Sequence, residues 1–194
     1  MIAKGNKHPY HDLELNFSIS GSSSVLLAVH DQRTEMLSTQ KPPEFVGYMR
    51  SGFGIPFAIL TKSGQPLAAD ITNIIAKGLG KKAFQVKTIT TSPSETHEQL
   101  VERMKAENAG MPVILHLTAW HSDAYQAVWY NYDLVLQVYG TDGKFLGQKH
   151  VQGRDSVGTT MWNPPKLARK KVPPALKQKL EEMFASPEIA GILK

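Results

Sequence analysis

Two long runs of alternating residues constrain the fold of this 194-residue chain more than any other feature. Residues 113–121 are apolar at the odd positions, and residues 128–138 are apolar at the even positions. Successive side chains of a strand point to opposite faces, so each run predicts a strand with one buried inner face. The predicted inner positions are Val113, Leu115, Leu117 and Ala119, then Val128, Tyr130, Tyr132, Leu134, Leu136 and Val138. The Asp142-Gly143 turn signal and a third run, 145–152, complete an antiparallel meander.

The first half of the chain has the pattern of a parallel unit. Residues 25–31 form a short apolar run typical of a buried strand, and residues 67–80 are apolar at helical spacing. A Thr-rich alternating segment, 84–91, predicts a second strand, which the crossover helix makes parallel to the first. Further helices are expected from Ser94 and from Pro173. The predicted fold class is an α/β (α+β) two-layer sandwich, with a mixed sheet of about five strands and helices mainly on one face.

The length fits one domain, which we expect to span residues 25–194. Residues 1–24 are polar, lack periodicity and end in a Gly-Ser-Ser-Ser run, so they are expected to be a flexible leader. Residues 34–66 are rich in proline and glycine and predict a long irregular loop, a common place for function. A second irregular stretch is expected at 153–174. No run is long enough for a spanning helix or a signal peptide.

The composition excludes several kinds of chemistry. The chain has no cysteine, which rules out a disulfide scaffold, a thiolate metal site and a cysteine nucleophile. His116 and His121 lie five apart on one predicted strand, so they are expected on opposite faces and unable to share an ion. No zinc-protease, serine-hydrolase or phosphate-loop motif is present. We therefore expect no catalytic residue, no metal site and no cofactor.

One candidate binding site follows the first predicted strand. His30, Asp31 and Arg33 lie where this strand gives way to the long loop. Sites in α/β sheets form at the carboxyl ends of strands. An Asp and an Arg two residues apart either form a structural ion pair or bind a ligand, and the sequence leaves both open.

A second candidate is an aromatic sheet face. Trp120, Trp129 and Tyr139 fall opposite the apolar positions of the two long strands. An open aromatic face is suited to a protein partner, a second copy of the chain or a sugar. The alternative is that the loop at 34–66 covers this face.

The third candidate is a basic patch. Of the net charge of +5, +4 lies within residues 164–182. Lys166, Arg169, Lys170 and Lys171 supply most of it. Such a cluster fits an anionic membrane surface or an acidic partner, and nucleic acid is disfavoured because no base-stacking motif accompanies it. A solvated helix start is the alternative.

Several phrases together resemble the YajG-like bacterial lipoproteins. These are the strand ending in Asp-x-Arg (25–33), Phe45-Val-Gly47, Gly64-Gln-Pro-Leu67 before a helix, and Phe84-Gln-Val86. The resemblance covers about residues 24–194. It implies a periplasm-facing, outer-membrane-anchored protein whose relatives are accessory subunits of envelope or secretion machinery. Such proteins carry a signal and a lipidated cysteine. We expect these to have preceded this sequence; if Met1 is the true start, the chain is cytoplasmic.

The sequence thus favours a non-enzymatic cell-envelope accessory or assembly protein that binds protein partners or itself. The first alternative is a small-ligand-binding or enzymatic domain that uses the Asp31/Arg33 strand end. The second is binding of an anionic surface, or of nucleic acid, through the basic patch at 166–171.

Overall fold

The computed structural model describes residues 6–38, 40–160 and 162–194. The elements, in chain order, are β1 (Lys7–His8), a 3-10 turn (Tyr10–Asp12), β2 (Ser24–Asp31), α1 (Thr34–Leu37), β3 (Phe45–Arg50), β4 (Pro56–Thr61), α2 (Leu67–Gly80), β5 (Gln85–Ile89), α3 (His97–Glu107), β6 (Met111–Ala124), β7 (Ala127–Tyr139), β8 (Phe145–Thr159), α4 (Pro164–Ala185) and α5 (Pro187–Ala190). The mixed sheet with helices mainly on one face agrees with the prediction, but the described residues form eight strands rather than about five.

The strands form one mixed sheet that forks at β6. On one side, β6 pairs with β7, and β7 with β8, as the predicted antiparallel meander. On the other side, the first half of β6 pairs with β2, which pairs with β5; both pairings are parallel. The second half of β6 pairs instead with β3, followed by β4 and β1. The parallel β2–β5 unit with its crossover helix α2 is confirmed.

Helices cover the two faces of the sheet unequally. The inner face is covered by α2 and α4, whose apolar residues join those of the strands in the main core. On the outer face, α3 packs over β2 and the start of β6, where Leu26, Ala28 and Ile114 meet Leu100 and Met104. Burial on both faces explains the continuous apolar run of β2. The outer face of β7 and β8 carries no such helix within the residues described.

A bulge in β6 changes the face of every residue that follows it. Leu117 pairs with Leu134 and Ala119 with Asp133, so Thr118 is the extra residue. The alternation predicted for this strand is therefore correct only as far as Leu117. After it, the even positions point inward, which buries Trp120 in the core instead of on the outer face.

The same bulge corrects the placement of two histidines. His116 pairs with Val135 and His121 with Asn131, and odd-numbered residues of β7 lie on the outer face. Both histidines therefore lie on the outer face, not on opposite faces. Their partners are four positions apart on β7, about 13 Å along a strand, so the two histidines still do not share an ion.

Regular structure extends into three stretches that the sequence indicates to be irregular. In the segment before β2, Tyr10, Leu15 and Phe17 are buried in the main core. The stretch 34–66 contains α1, β3 and β4. Isolated apolar residues among prolines and glycines give no periodic signal, and only the packed sheet makes them part of the core.

The third such stretch, 153–174, is occupied by the end of β8 and the first half of α4. The helix begins at Pro164, with Asn163 as its cap, rather than at Pro173. Pro173 and Pro174 lie inside the helix, which remains packed through Ala168, Val172 and Leu176. A proline pair usually marks a helix boundary, but here the helix continues through it because apolar residues on both sides are buried.

We expect Gly47→Ala to destabilise the junction of β3 with β6. Gly47 has φ of 150°, and a Cβ there would lie 2.4 Å from the Ser122 carbonyl oxygen. Backbone strain and overpacking together predict a loss of about 2 kcal/mol in the free energy of unfolding. Gly52→Ala is the matched control, since nothing lies within 4 Å of a Cβ there. Denaturant titration checks this; equal losses in both variants contradict it.

Candidate functional site

The Asp31–Arg33 pair closes the fork of the sheet. The Arg33 Nε and Nη2 atoms donate to the two Asp31 carboxylate oxygens at 2.8 and 2.7 Å. The same guanidinium donates to the carbonyl oxygens of Phe45, at 2.5 Å, and Trp120, at 3.4 Å. The Arg33 side chain is fully buried. The sequence leaves open whether these residues form a structural ion pair or bind a ligand, and this geometry is that of a structural ion pair. The pair joins β2, β3 and β6 at the point where backbone pairing between them is interrupted.

A cleft of about 550 Å³ opens beside this pair. It lies between the start of α2, the carboxyl ends of β2 and β5, and the chain that leads from α1 to β3. Its walls are mainly small and apolar, with Val29, Met36 and Ile89 among them, and Lys41 lies at its rim. Asp31 also lines the cleft, although its carboxylate is held by Arg33. The predicted strand-end site is thus a cleft whose carboxylate, that of Asp31, is already paired with Arg33.

His30 belongs to a different cluster, on the outer face under α3. Its ring centroid lies 5.5 Å from that of His116, and the His97 ring lies 5.1 Å from His116. The two His116 ring nitrogens each lie 3.1 Å from a glutamine oxygen, of Gln32 and of Gln137. Burial, with the neighbouring histidines, lowers the pKa of His116 to about 4, and burial lowers that of His30. His116 is therefore neutral at pH 7.

The three predicted aromatic residues lie in three different environments. Trp120 is in the core, where its Nε1 donates to the Tyr10 hydroxyl at 2.8 Å. Tyr139 is on the outer face but is covered by α3, with its hydroxyl 2.9 Å from His97 Nε2. Trp129 alone is exposed there, with the Arg154 guanidinium 5.1 Å from its ring centre. The predicted aromatic face thus contains one accessible aromatic side chain of the three.

The open part of the outer face is otherwise mainly polar, apart from the exposed Phe145 of β8, whose ring centroid lies 5.6 Å from that of Tyr139. Asn131 contacts His121 at 3.0 Å, and His150 contacts Asp133 at 2.7 Å. Val135 is the apolar residue among them on β7. The segment at 34–66 covers only the edge of this region, where the Glu35 carboxylate of α1 lies 3.5 Å from His121 Nδ1; β3 and β4 extend the sheet beside the second half of β6.

The basic patch lies on the first turns of α4. Lys166, Arg169, Lys170 and Lys171 are all exposed. None of the four lies within 4 Å of a carboxylate among the described residues. Their charge is therefore available to a partner.

Four exposed apolar side chains at one end of the sheet were not anticipated from the sequence. We call them the tip: Phe53 and Ile55 in the β3–β4 turn, Tyr125 in the β6–β7 turn, and Trp162 after β8. Phe53 and Trp162 are each 95% exposed. In the sequence these four residues stand singly among glycine, proline and polar residues. That pattern does not reveal that three separate turns lie together in the fold.

Neither metal ligands nor a spanning helix emerge from the part of the chain that the structure describes. No group of three or more histidine, cysteine or acidic residues there could hold a metal ion. Nor is any described helix long and apolar enough to cross a bilayer.

No protein-family model matches the chain, and no curated protein sequence matches it. Among solved structures, it is similar to a Xanthomonas campestris protein assigned to family model DUF330, with a TM-score of 0.57 and 10% identity over 93% of this chain and 92% of that one. This likeness shows the fold alone.

Two further structures are more distant. Lipoprotein GNA1162 from Neisseria meningitidis gives a TM-score of 0.34 at 11% identity, over 82% of this chain and 99% of that one. A PelC dodecamer from Paraburkholderia phytofirmans gives 0.40 at 9% identity, over 90% and 96%. These scores are too low to carry an argument about function.

Proposed function

We propose that this chain is a non-enzymatic accessory or assembly protein of the bacterial cell envelope, and that it binds a protein partner or a second copy of itself. The observation that carries the proposal is the unpaired edge of β8, the last strand of the antiparallel meander formed by β6, β7 and β8. Within the described residues, β8 pairs with β7 alone, although it runs for 15 residues, about 50 Å.

An edge of this length is a template for another strand. Its outward backbone groups are satisfied by water or by a partner, and natural proteins shorten or cover such edges when they are not used. The outer face beside it supplies side-chain contacts. Trp129 is the kind of exposed aromatic residue that dominates binding energy at interfaces, and Arg154 lies against it.

We expect Trp129→Ala with Val135→Lys to weaken the complex at least about thirtyfold, as loss of an interface hot spot does. Analytical ultracentrifugation measures this for self-association, and crosslinking in envelope fractions measures it for a partner. Trp162→Ala is the matched control, since it removes an exposed tryptophan that is not on this face.

Trp120 is unsuitable for this test because it is buried and its loss would disturb the fold. An unchanged association constant in the Trp129 variant, with the fold intact, would rule out the outer face as the interface.

The cleft supports a second candidate function, binding of a small apolar ligand. Its volume of about 550 Å³ lies in the range of ligand pockets, and its walls are mainly apolar. Arg33 would not touch the ligand, since its side chain is fully buried. Ala69→Trp, which fills the cleft from α2, would abolish such binding and leave the association through β8 unchanged.

An anchored, periplasmic form is part of the main proposal and rests on the resemblance to the YajG-like lipoproteins. The genomic sequence upstream of Met1 tests it. A signal sequence with a lipidation cysteine in frame supports the envelope location, and an in-frame stop codon directly upstream contradicts it.

A further inference from the structure

We propose that the tip and the basic patch together form a docking surface for an anionic lipid membrane, separate from the interface proposed on β7 and β8. The tip comprises Phe53, Ile55, Tyr125 and Trp162, and the basic patch comprises Lys166, Arg169, Lys170 and Lys171.

Hydrogen bonds connect the three turns that form the tip. The Tyr125 hydroxyl donates to the Gly52 carbonyl oxygen at 3.3 Å, which joins the β6–β7 turn to the β3–β4 turn. The Thr160 backbone N–H donates to the Gln126 carbonyl oxygen at 3.3 Å. Trp162 lies two positions after Thr160, and its N–H donates to the Thr160 hydroxyl at 3.3 Å. The turns that carry the four apolar side chains are thus connected at one end of the sheet.

The basic patch begins next to the tip. Asn163 caps α4 by accepting the Lys166 N–H at 2.9 Å. The rise of 1.5 Å per residue places Lys171 about 10 Å along the helix from Pro164. The chain segments 50–55, 123–126 and 160–171 contain one acidic residue, Asp123, whose carboxylate is paired with Arg50. These three segments therefore carry a net charge of +4, all of it from the patch, and none of the four patch residues is paired with a carboxylate among the described residues.

This combination fits a lipid surface better than a protein interface. Tryptophan and other large apolar residues on exposed loops insert at the headgroup boundary, and neighbouring Lys and Arg residues bind anionic headgroups. Protein interfaces are instead depleted in lysine, and three of the four patch residues are lysine. The 95% exposure of Phe53 and Trp162 leaves both rings free to insert.

The test is co-sedimentation of the purified chain with phosphatidylcholine vesicles that contain, or lack, phosphatidylglycerol. We expect binding to the anionic vesicles only, weakening as salt is raised. Replacing all four patch residues by glutamine should lower the affinity about tenfold or more. The matched control is the fourfold variant Lys77→Gln, Lys81→Gln, Lys87→Gln and Lys105→Gln, which loses the same charge elsewhere and should keep its binding.

Tryptophan fluorescence tests the orientation. A blue shift on adding anionic vesicles should persist in Trp129→Phe and disappear in Trp162→Phe. Equal binding to both vesicle types, an equal loss in the control variant, or a patch that binds RNA or DNA but no vesicles would overturn the proposal. Tip and patch variants should leave the association through β8 unchanged, so the two proposals fail separately.

Discussion

Replacing Arg33 by methionine is expected to lower the free energy of unfolding by about 3–5 kcal/mol, the usual result of removing one member of a buried ion pair. The variant leaves the Asp31 carboxylate buried without its cation. It also removes the donors to the Phe45 and Trp120 carbonyl oxygens at the fork. Denaturant titration, with the slope checked for two-state behaviour, measures the loss.

Arg50→Met is the matched control for this prediction. Arg50 also makes a bidentate pair, with Asp123, but both side chains are about one-third exposed. Its loss should therefore cost less than about 1 kcal/mol. If Arg33→Met does not fold, Arg33→Lys keeps the charge without the fork geometry and should still cost more than Arg50→Met. Equal losses at the two sites would show that the fork does not depend on Arg33.

Acid is expected to destabilise the fold between pH 6.5 and 4, before most carboxylates titrate. Burial, with Arg169 nearby, lowers the pKa of His8 to about 3, and burial among histidines lowers that of His116 to about 4. Both are neutral in the folded chain, while in the unfolded chain each takes up a proton below about 6.5. Their contribution is therefore complete above pH 6.5 and is lost as pH falls toward the folded pKa values.

For His116 the expected loss in the free energy of unfolding is about 3 kcal/mol by pH 4. Each pH unit between the pKa of the unfolded chain and that of the folded chain contributes about 1.36 kcal/mol. His116→Gln should flatten the stability profile between pH 6.5 and 4.5, and the exposed His150→Gln should not. Burial raises the pKa of Asp70, so this carboxyl makes the fold more stable as the pH falls, and it does so equally in all variants. A profile unchanged by His116→Gln would show that this imidazole is not held neutral by the fold.

The sequence predicts β7 well and β6 only in part. Every predicted inner residue of β7, from Val128 to Val138, is buried, because its alternation is uninterrupted. In β6 the bulge at Thr118 reverses the faces of Trp120 and His121. A single inserted residue leaves no composition signal, and the partner strand alone reveals it.

The candidate sites, like β6, could be predicted from the sequence only in part. The Asp-x-Arg spacing leaves an ion pair and a ligand site both open, and the choice depends on β3, which lies within the segment predicted to be irregular. The exposure of the basic patch follows from its run of charges. The tip could not be predicted in this way, since Phe53 and Trp162 are 109 residues apart in the sequence and are placed at the same end of the sheet only by the tertiary arrangement of the turns.

The most direct test of the central claim, that this chain acts by binding a protein along β8, is site-specific photocrosslinking in cells. A photoreactive residue at Gln152, exposed on β8, is compared with one at Lys77, exposed on α2. We predict a discrete adduct from Gln152, with a second copy or a partner protein, that is absent from Lys77 and reduced by Trp129→Ala. No adduct from Gln152, or the same adducts from both positions, would contradict the account.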